Sequence, residues 1–384
     1  MGHKADNSFF NQKRPWSKRK DNILQCYLTP YLYKIATQRA PILIVDAFAG
    51  PGKFGDGESG SPLIICKCVD QALSKGFPVP VSVMCIEPDP ELFSELHDSI
   101  KPFPFAEAKK GEFHDYIHDI EKLAGSNSVF MYIDPWTVEG LQWAQMEQIF
   151  KHLFVSKMSI EVLLNFNAQS LARRGLAALK LAVPNSDPAI EDQEEIDAPI
   201  ATSPSVINLN NVVGGEWWQP ILVSPLTFPQ KVQQLADGIC THLSVRFKEV
   251  CQHPMKAMPH HLVPKYFLIF GSRHRDALLL MNDEMVKSQR SLADLAKPKD
   301  PTLFEMRPTD LVPDMEQLPE IILAHTQNPM KRGDVILNVV RENFCKFAVK
   351  DIRSSIGDML RKGTLKSETG KTRINDDIKI FRPK

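Results

Sequence analysis

The sequence predicts an α/β fold built on a parallel sheet, and three apolar runs carry this prediction. The runs, each with the acidic residue that follows it, are 42–45 with Asp46, 81–86 with Glu87, and 129–133 with Asp134. Apolar runs of this length without polar alternation are typical of strands that are buried on both faces. Ligands of open α/β sheets bind outside the carboxyl ends of the strands. The three acids therefore predict a binding site at that edge of the sheet.

The loop after the first run is rich in glycine. It reads DAFAGPGKFGDGESGSPL and begins with Asp46, Phe48, Gly50 and Gly52. Glycines let the backbone turn sharply beneath a ligand, and a helix over 63–74 follows. The spacing is not the dinucleotide pattern GxGxxG, which disfavours a nicotinamide cofactor. The form D-x-F-x-G-x-G resembles the S-adenosylmethionine loop of class I methyltransferases, and an ordinary tight turn is the alternative.

The second run ends at Glu87, and Pro88 and Pro90 then close the strand before a helix that begins near Glu91. A carboxylate at the end of a second strand suits the two hydroxyls of a ribose, because it can accept a hydrogen bond from each. Glu87 is therefore predicted to bind the cofactor ribose. The alternative is a solvent-facing cap of the following helix.

The third run leads into Asp134-Pro135-Trp136-Thr137. This tetrapeptide resembles the [DNS]-P-P-[YFW] motif of amino-methyltransferases, with Trp136 in place of the second proline and Thr137 in place of the aromatic residue. The resemblance implies that the Asp134 carboxylate and the Pro135 carbonyl accept hydrogen bonds from a target amino group while Trp136 stacks on the base that carries it. A strand-ending turn with a core tryptophan is the alternative.

Two further segments carry candidate residues of the site. The segment 108–120 suits a third strand and its turn, and the methyltransferase resemblance places Glu112 against the cofactor adenine, although an exposed glutamate is the alternative. Asn165 and Asn167, at the end of a strand predicted over 162–167, face the site or cap turns. His114 and His118 have no third ligand at a suitable spacing, so no metal site is predicted.

The amino-acid sequences of several segments are similar to those of the three-Cys-motif partner family (TcmP). The matching segments include YLTPYLYKI, DAFAGPGKF, IEPDPELF, YIDPWTVEGLQW and YFLIFGSRHRDAL. This resemblance implies a Rossmann-like class I methyltransferase fold, S-adenosylmethionine as cofactor, and a radical-type partner protein that carries a three-cysteine motif. We therefore expect methyl transfer to an amino group of a nucleic-acid base. The alternative is a catalytically inactive adaptor that senses S-adenosylmethionine or binds nucleic acid.

The chain is predicted to have four parts. They are a basic helical segment over 1–40, the methyltransferase-like domain over 41–290 with an acidic loop at 185–204, a proline-rich linker over 291–330, and a small domain over 331–384. The excess of positive charge near both ends of the chain suggests that these ends contact a polyanion. The acidic loop contains six acids and three prolines, which predicts a disordered segment or a lid.

The last part is basic, with 14 Lys and Arg against 7 Asp and Glu. Two helical segments followed by a hairpin at Gly370 predict a winged helix-turn-helix, which binds nucleic acid or docks to a protein. The residues predicted to contact phosphates are Arg353, Arg361, Lys362, Lys371 and Arg373.

Composition places the chain among soluble intracellular proteins. The seven cysteines form no CxxC pair, as is typical of reduced thiols in the cytoplasm. The N-terminus is polar, which predicts no signal peptide, and no apolar run approaches the length that crosses a bilayer. A cytoplasmic protein without a membrane partner is therefore expected.

Overall fold

A computed structural model describes residues 10–153, 158–183, 205–256, 261–295 and 313–383. Its internal contacts divide the chain into two compact units, residues 1–274 and 275–384. The acidic loop predicted at 185–204 lies outside the described residues.

The N-terminal unit is organised around a seven-stranded sheet. Its strands are β1 Ile42–Asp46, β2 Val81–Glu87, β3 Ala106–Lys110, β4 Ser128–Ile133, β5 Ile160–Phe166, β6 Glu249–Met255 and β7 Tyr266–Ser272. The spatial order is β3-β2-β1-β4-β5-β7-β6. Strands β1 to β5 pair in parallel, and β7 runs antiparallel to both of its neighbours. The predicted α/β fold with a parallel sheet is confirmed.

The strand order determines where a ligand can bind. The first five strands follow the 3-2-1-4-5 order of Rossmann sheets, so the order reverses between β1 and β4. A crevice forms outside the carboxyl ends of the strands at such a reversal. The candidate residues Asp46 and Asp134 lie at the ends of these two strands.

Helices cover both faces of the sheet. They are α1 Pro15–Ile35, α2 Ser61–Ser74, α3 Pro90–Ile100, α4 Ile117–Ala124, α5 Trp143–Leu153, α6 Ala168–Ala178, α7 Val206–Val213, α8 Trp218–Val223 and α9 Phe228–Ser244. Short 3₁₀ turns occur at Ala36–Gln38, Phe113–Tyr116 and Val138–Leu141. All five residues of β1 are buried, because side chains that alternate between the two faces meet helices on each side.

Helix α1 is fixed to the sheet by a polar contact inside an apolar interface. The Tyr27 hydroxyl donates a hydrogen bond to the Glu161 carboxylate in β5, and both side chains are buried. The Tyr27 ring also packs against Phe130 and Phe270, with ring centroids 5.7 and 5.6 Å away. Burial raises the pKa of Glu161 to about 7. The predicted N-terminal helical segment is thus an integral layer of this unit.

Strand β6 has no counterpart in the sequence prediction. Its residues, EVCQHPM, contain polar side chains and Pro254, which conceal the apolar pattern of a strand. Proline is tolerated in a strand at the edge of a sheet, and β6 is an edge strand.

In the described residues of the C-terminal unit, four helices accompany a small antiparallel sheet. The elements are α10 Arg275–Leu295, α11 Leu318–Ala324, β8 Met330–Lys331, α12 Arg332–Glu342, α13 Val349–Lys362, β9 Lys366–Ser367 and β10 Lys379–Phe381, with a 3₁₀ turn at Met315–Gln317. The strand order is β8-β10-β9.

Helix α10 belongs to this second unit by its contacts. The Asn282 amide nitrogen donates to the Phe347 carbonyl at 2.8 Å, and its oxygen accepts from the Cys345 amide at 2.9 Å. Arg290 pairs with Asp351 at 2.6 Å. The contacts therefore place the division at residue 274, whereas the sequence-based boundary is 290. Helix α11 occupies part of the range predicted as a linker.

Candidate functional site

The glycine loop after β1 turns through left-handed backbone conformations. Gly50 and Gly52 have φ values of +62° and +78°, which glycine adopts without strain. The amides of Ala47 and Ala49 donate to the carbonyls of Tyr132 and Ile86, so the loop is tied to strands on both of its sides. The loop thus starts at the reversal of the strand order and is held there by backbone hydrogen bonds.

Glu87 fixes the glycine loop to the end of β2. One carboxylate oxygen accepts from the Gly50 amide at 2.9 Å, and the other accepts from the Asp89 amide at 2.8 Å. The side chain is only 3% exposed, and burial raises its pKa to about 7. The Glu87 carboxylate therefore holds the glycine loop through the Gly50 amide.

Asp46 is a fully buried carboxylate. Among the described residues, neither of its oxygens has a hydrogen-bond partner. Burial raises its pKa from 3.8 to about 7, and the Ser61 hydroxyl and Phe48 amide, which lower the pKa, lie nearby without meeting hydrogen-bond geometry. Asp134 and Asp21 raise the pKa further. A buried carboxyl group without a partner is costly unless a ligand supplies one.

The other predicted cofactor residues lie around this centre at different depths. A Cβ on Gly140 would stand 3.2 Å from the Phe48 ring, which places that ring beside the turn that follows β4. A Cβ on Gly52 would stand 3.1 Å from Ser99 of α3, so Gly52 permits close packing against that helix. Glu112 is exposed at the end of β3, where it forms a capping box with Asp115. It is close enough to Glu87 to raise the pKa of that carboxyl group.

Asp134 lies directly after β4 and is held by three side chains. The Asn165 amide nitrogen donates to one oxygen at 2.7 Å. The other oxygen accepts from the Lys20 ammonium and, at 3.3 Å, from the Tyr132 hydroxyl. The Lys20 and Asp134 side chains are 14% and 18% exposed, so this ion pair is largely shielded from solvent.

Asn165 contributes a second buried acceptor beside Asp134. Its residue is 3% exposed, and its side-chain oxygen has no hydrogen-bond partner among the described residues. The amide nitrogen must face Asp134, because two oxygens placed together would repel. Of the two roles open to Asn165 in the sequence, the structure places its side chain at the site.

Trp136 covers one side of the crevice. Its side chain is 42% exposed, and its ring meets the Phe10 ring edge to face with centroids 4.6 Å apart. Phe10 also covers the glycine loop, since a Cβ on Gly50 would lie 3.0 Å from the Phe10 ring. Pro135 packs toward Gly140. The N-terminal segment therefore joins the glycine loop to the Asp134-Pro135-Trp136 turn.

Three lysines of the N-terminal segment pair with acids of the same unit. Lys13 binds Asp21 at 2.6 Å, Lys18 binds Glu58 at 3.2 Å, and Lys20 binds Asp134. The Lys13 ammonium also donates to the Ser59 carbonyl. The basic character of this segment, which the sequence suggests for a polyanion, serves internal ion pairs at these three positions.

The sequence-based site misses Lys20, Tyr132 and Phe10. Lys20 lies 114 residues before Asp134, and no motif links them. Tyr132 is hidden inside an apolar strand pattern, and Phe10 precedes the first predicted element. The positive charges in the first 20 residues are the one available signal, and they do not indicate a partner inside the chain.

The predicted phosphate contacts lie in the C-terminal unit. Arg353 pairs with Asp376 at 2.7 Å, an acid that also binds Arg332, and Arg361 pairs with Asp358 one helical turn away. Lys362, Lys371 and Arg373 are exposed at the end of α13 and in the loop between β9 and β10.

Two kinds of feature are absent from the part of the chain that the structure describes. No group of three or more His, Cys, Asp or Glu side chains is arranged to hold a metal ion. Within the same residues, every helix is too short or too polar to traverse a bilayer.

Comparison with solved structures finds methyltransferases and a pre-rRNA processing protein, all at low similarity. Human methyltransferase-like protein 13, in complex with S-adenosylhomocysteine, is 11% identical over 76% of this chain and 97% of its own, with a TM-score of 0.33. The Bacillus cereus O-methyltransferase, also in complex with S-adenosylhomocysteine, is 12% identical over 68% and 82%, with a TM-score of 0.31. The fibrillarin pre-rRNA processing protein of Methanococcus jannaschii is 11% identical over 60% and 66%, with a TM-score of 0.27. No family model and no curated protein matches the chain.

The variant Asp46→Asn is expected to stabilise the ligand-free protein at alkaline pH. A folded-state pKa above the usual 3.8 means that the folded protein holds a proton that the unfolded chain has lost, so stability falls as the pH rises from about 4 to 7. The shift to about 7 corresponds to at most about 4 kcal/mol. A gain of about 2 kcal/mol is expected at about pH 8 once the unpaired amide of asparagine is counted.

Urea unfolding of both proteins at about pH 5 and about pH 8 measures this difference. The control is Glu107→Gln, which changes an exposed acid of β3 and should show no such dependence on pH. A gain that is equal at both pH values would contradict the burial of an ionisable Asp46.

Proposed function

We propose that this protein is an S-adenosylmethionine-dependent methyltransferase that acts on an amino group. One observation carries the proposal: the buried, unpartnered carboxyl group of Asp46 lies at the reversal of the strand order, directly before a glycine loop that Glu87 holds by the Gly50 amide. The turn Asp134-Pro135-Trp136, which is assigned to binding the methyl acceptor, follows the neighbouring strand β4.

The residues present fit the chemistry of S-adenosylmethionine. That molecule carries an ammonium group, a sulfonium centre and a ribose with two neighbouring hydroxyls. The unpaired oxygens of Asp46 suit a cationic or hydrogen-bond-donating group, since such a group would relieve the cost of burying the carboxyl group. Glu87 uses one backbone donor on each oxygen and retains acceptor capacity for ribose hydroxyls. Glu112, exposed at the neighbouring strand end, is assigned to the adenine.

The bound cofactor would supply an electrophilic methyl group on sulfur. The chain's own residues would position the acceptor. Asp134 and the Pro135 carbonyl would accept hydrogen bonds from its amino group and direct the nitrogen lone pair. Direct transfer depends mainly on such positioning, so the reaction requires no covalent protein nucleophile.

The predicted acceptor is the amino group of a nucleic-acid base. The exposed ring of Trp136 supports this acceptor, because aromatic side chains stack on bases that have left the duplex. The three-Cys-motif radical-type protein remains the proposed protein partner, on the resemblance of the sequence alone, and a cytoplasmic location is proposed on the same basis.

A catalytically inactive adaptor is the second candidate, and one observation favours it. The Lys20 ammonium already occupies the Asp134 carboxylate that would receive the acceptor. The tetrapeptide also departs from the amino-methyltransferase pattern at Trp136 and Thr137. Such an adaptor would bind S-adenosylmethionine without transferring its methyl group.

The C-terminal unit is proposed to be a winged helix that binds nucleic acid. Three short antiparallel strands in the order β8-β10-β9 beside α11, α12 and α13 support this assignment. The exposed Lys362, Lys371 and Arg373 are the proposed phosphate contacts. Arg353 and Arg361 would have to leave their carboxylate partners before they bind a phosphate. This exchange costs little, because exposed ion pairs of this kind are weak.

We expect S-adenosylmethionine to bind the wild-type protein and Glu87→Ala to weaken that binding. The substitution removes the acceptor of the Gly50 amide and the proposed acceptor of the ribose. Each lost hydrogen bond to a charged group is worth about 1.5–3 kcal/mol, which predicts a loss of affinity of about tenfold to a hundredfold. Isothermal titration measures it, with Glu107→Ala as the control acid.

The variant Gly50→Val should abolish binding of S-adenosylmethionine. Its matched control is Gly76→Val, because Gly76 has a similar φ of +77° and nothing within 4 Å of an added Cβ. Well-folded wild-type protein that binds no S-adenosylmethionine would refute the proposed function.

Asp134→Asn should lower turnover about a hundredfold or more while cofactor affinity changes little, since Asp134 is assigned to the acceptor. The measurement is transfer of a labelled methyl group to pools of DNA, RNA and protein, together with the cofactor titration. Unchanged transfer would remove Asp134 from the mechanism. Cofactor binding by the wild type with no methylated product in any pool would favour the adaptor.

The triple variant of Lys362, Lys371 and Arg373 to alanine should bind DNA or RNA oligonucleotides about tenfold more weakly than the wild type. Each lost phosphate contact should also reduce the salt dependence, by about 0.9 in the slope of log K against log salt for duplex DNA. Fluorescence anisotropy with the full chain measures both. The charge-matched control changes Lys75, Lys101 and Lys122, which belong to the other unit. Equal losses in the two variants would show a general charge effect instead of a site.

A further inference from the structure

The side chain of Lys20 contacts polar and aromatic groups at the end of β4. Its ammonium donates to Asp134, whose same oxygen also accepts from Tyr132. Its nitrogen lies 5.9 Å from the centre of the Tyr266 ring, a distance at which a cation is attracted to an aromatic face. The contact therefore has the components that proteins use to bind an amine: a carboxylate, a hydroxyl and an aromatic ring.

Asp134 is oriented for this contact by Asn165. The Asn165 amide donates to the carboxylate oxygen that does not bind Lys20, at 2.7 Å, and so fixes the direction of the second oxygen. Both Asn165 and Tyr132 are almost fully buried, and the Asn165 oxygen has no partner among the residues that the structure describes. The carboxylate is thus pre-oriented by rigid strand residues, whereas its cation comes from a flexible side chain.

We infer that Asp134, Tyr132 and Asn165 form an alkylammonium seat, a binding site for an aliphatic primary amine such as a lysine side chain of a partner protein. Lys20 fills the seat when no partner is bound. This inference rests on the proposed methyl transfer to an amino group, and it names an aliphatic amine, instead of the amino group of a base, as the acceptor.

Charge distinguishes an aliphatic amine from the amino group of a base. The Asp134 carboxylate is 18% exposed, so it depends on a neighbouring cation more than a surface carboxylate does. If Lys20 leaves, an incoming ammonium restores the ion pair, whereas the neutral amino group of a base leaves the carboxylate without a counter-ion. An aliphatic ammonium is the occupant that keeps the charge balance of the site, and it must release one proton to solvent before its nitrogen has the lone pair that accepts a methyl group.

The anchor of helix α1 on the sheet does not involve Lys20. Helix α1 is held to the sheet about two turns further on, by Tyr27 and the apolar residues around it. Lysine carries its charge on a flexible stem, so the ammonium can swing out while the helix stays in place. Lys13, in contrast, is bound by both Asp21 and the Ser59 carbonyl and is 5% exposed.

The test uses the cofactor-free full-length Lys20→Ala variant with n-butylammonium chloride as the probe. Butylammonium should raise the thermal midpoint in a saturable manner, with a dissociation constant of about millimolar order, as for one ion pair and a short apolar stem. Tetramethylammonium, which has no N–H donor, should have no such effect at equal ionic strength. Affinity should be about tenfold lower or more in the wild type, where Lys20 competes, and in Lys20→Ala/Asp134→Asn, where the carboxylate is missing.

Three results would overturn the seat. They are equal effects of butylammonium and tetramethylammonium, equal binding after Asp134→Asn, and stabilisation of Lys20→Ala by cytosine, a free base with an exocyclic amino group, but not by butylammonium. The last result would favour the base as acceptor.

A second measurement on the wild type covers the case in which Lys20→Ala does not fold. Acylation followed by peptide mass spectrometry should find Lys20 about tenfold less reactive than Lys18, whose side chain is 51% exposed, as its ammonium is held by Asp134. The protection should disappear in Asp134→Asn. Equal reactivity of Lys20 in the wild type and Asp134→Asn would overturn the inference.

Neither experiment involves S-adenosylmethionine, so the two proposals fail separately. Cofactor binding without a butylammonium response leaves the methyltransferase proposal and removes the seat. A butylammonium response in a protein that binds no cofactor leaves an amine-binding site and removes the methyltransferase.

Discussion

The arrangement of this protein depends on how three carboxylates are accommodated at the ends of adjacent buried strands. Water cannot solvate Asp46 or Glu87, which are 0% and 3% exposed, and each is charged only at a cost in stability. The three carboxylates have different partners. Glu87 receives two backbone amides, Asp134 receives a lysine, and Asp46 receives no hydrogen bond from the described residues. This asymmetry is what indicates a ligand, because a carboxylate kept only for stability would have been given a partner or replaced by an apolar residue.

The N-terminal segment follows from the same constraint. Asp134 and Asp21 both raise the pKa of Asp46, and Asp134 raises that of Asp21, so the site needs compensating positive charge. Lys13 and Lys20 supply it from the N-terminal segment, whose helix packs on the sheet. The segment also bridges the loop and the turn through Phe10, since this ring lies against both Gly50 and Trp136. A basic stretch that resembles a polyanion-binding tail in the sequence is, in the structure, the electrostatic complement of the site.

The sequence predicts this fold and site to the extent that the relevant contacts are local. Unbroken apolar runs predict the buried parallel strands because both faces of such strands meet helices, and Gly50 is identifiable because its left-handed backbone favours glycine. Lys20 is not identifiable, because its contact with Asp134 depends on where α1 crosses the sheet edge. The hydrogen bond from the Gly50 amide to Glu87 cannot be predicted either, because it also depends on how elements that are distant in the sequence meet. Strand β6 and the assignment of α10 to the second unit depend on edge pairing and on the buried amide of Asn282, which no periodicity reveals.

The side chain at position 20 determines how firmly the Asp134 carboxylate is held. An arginine at this position could bind both oxygens of Asp134 through its planar fork, compete with Asn165, and hold the carboxylate more firmly. Lysine makes a single-point contact and leaves the Asn165 hydrogen bond intact. The Tyr27 contact with Glu161 anchors the helix independently, so the position of α1 does not depend on whether Lys20 is bound. The carboxylate is therefore neutralised in the free protein by a group that an equivalent amine can replace without rearrangement of the sheet, the glycine loop or the helix. An ion pair built only for stability would gain nothing from this separation between the anchor and the charge.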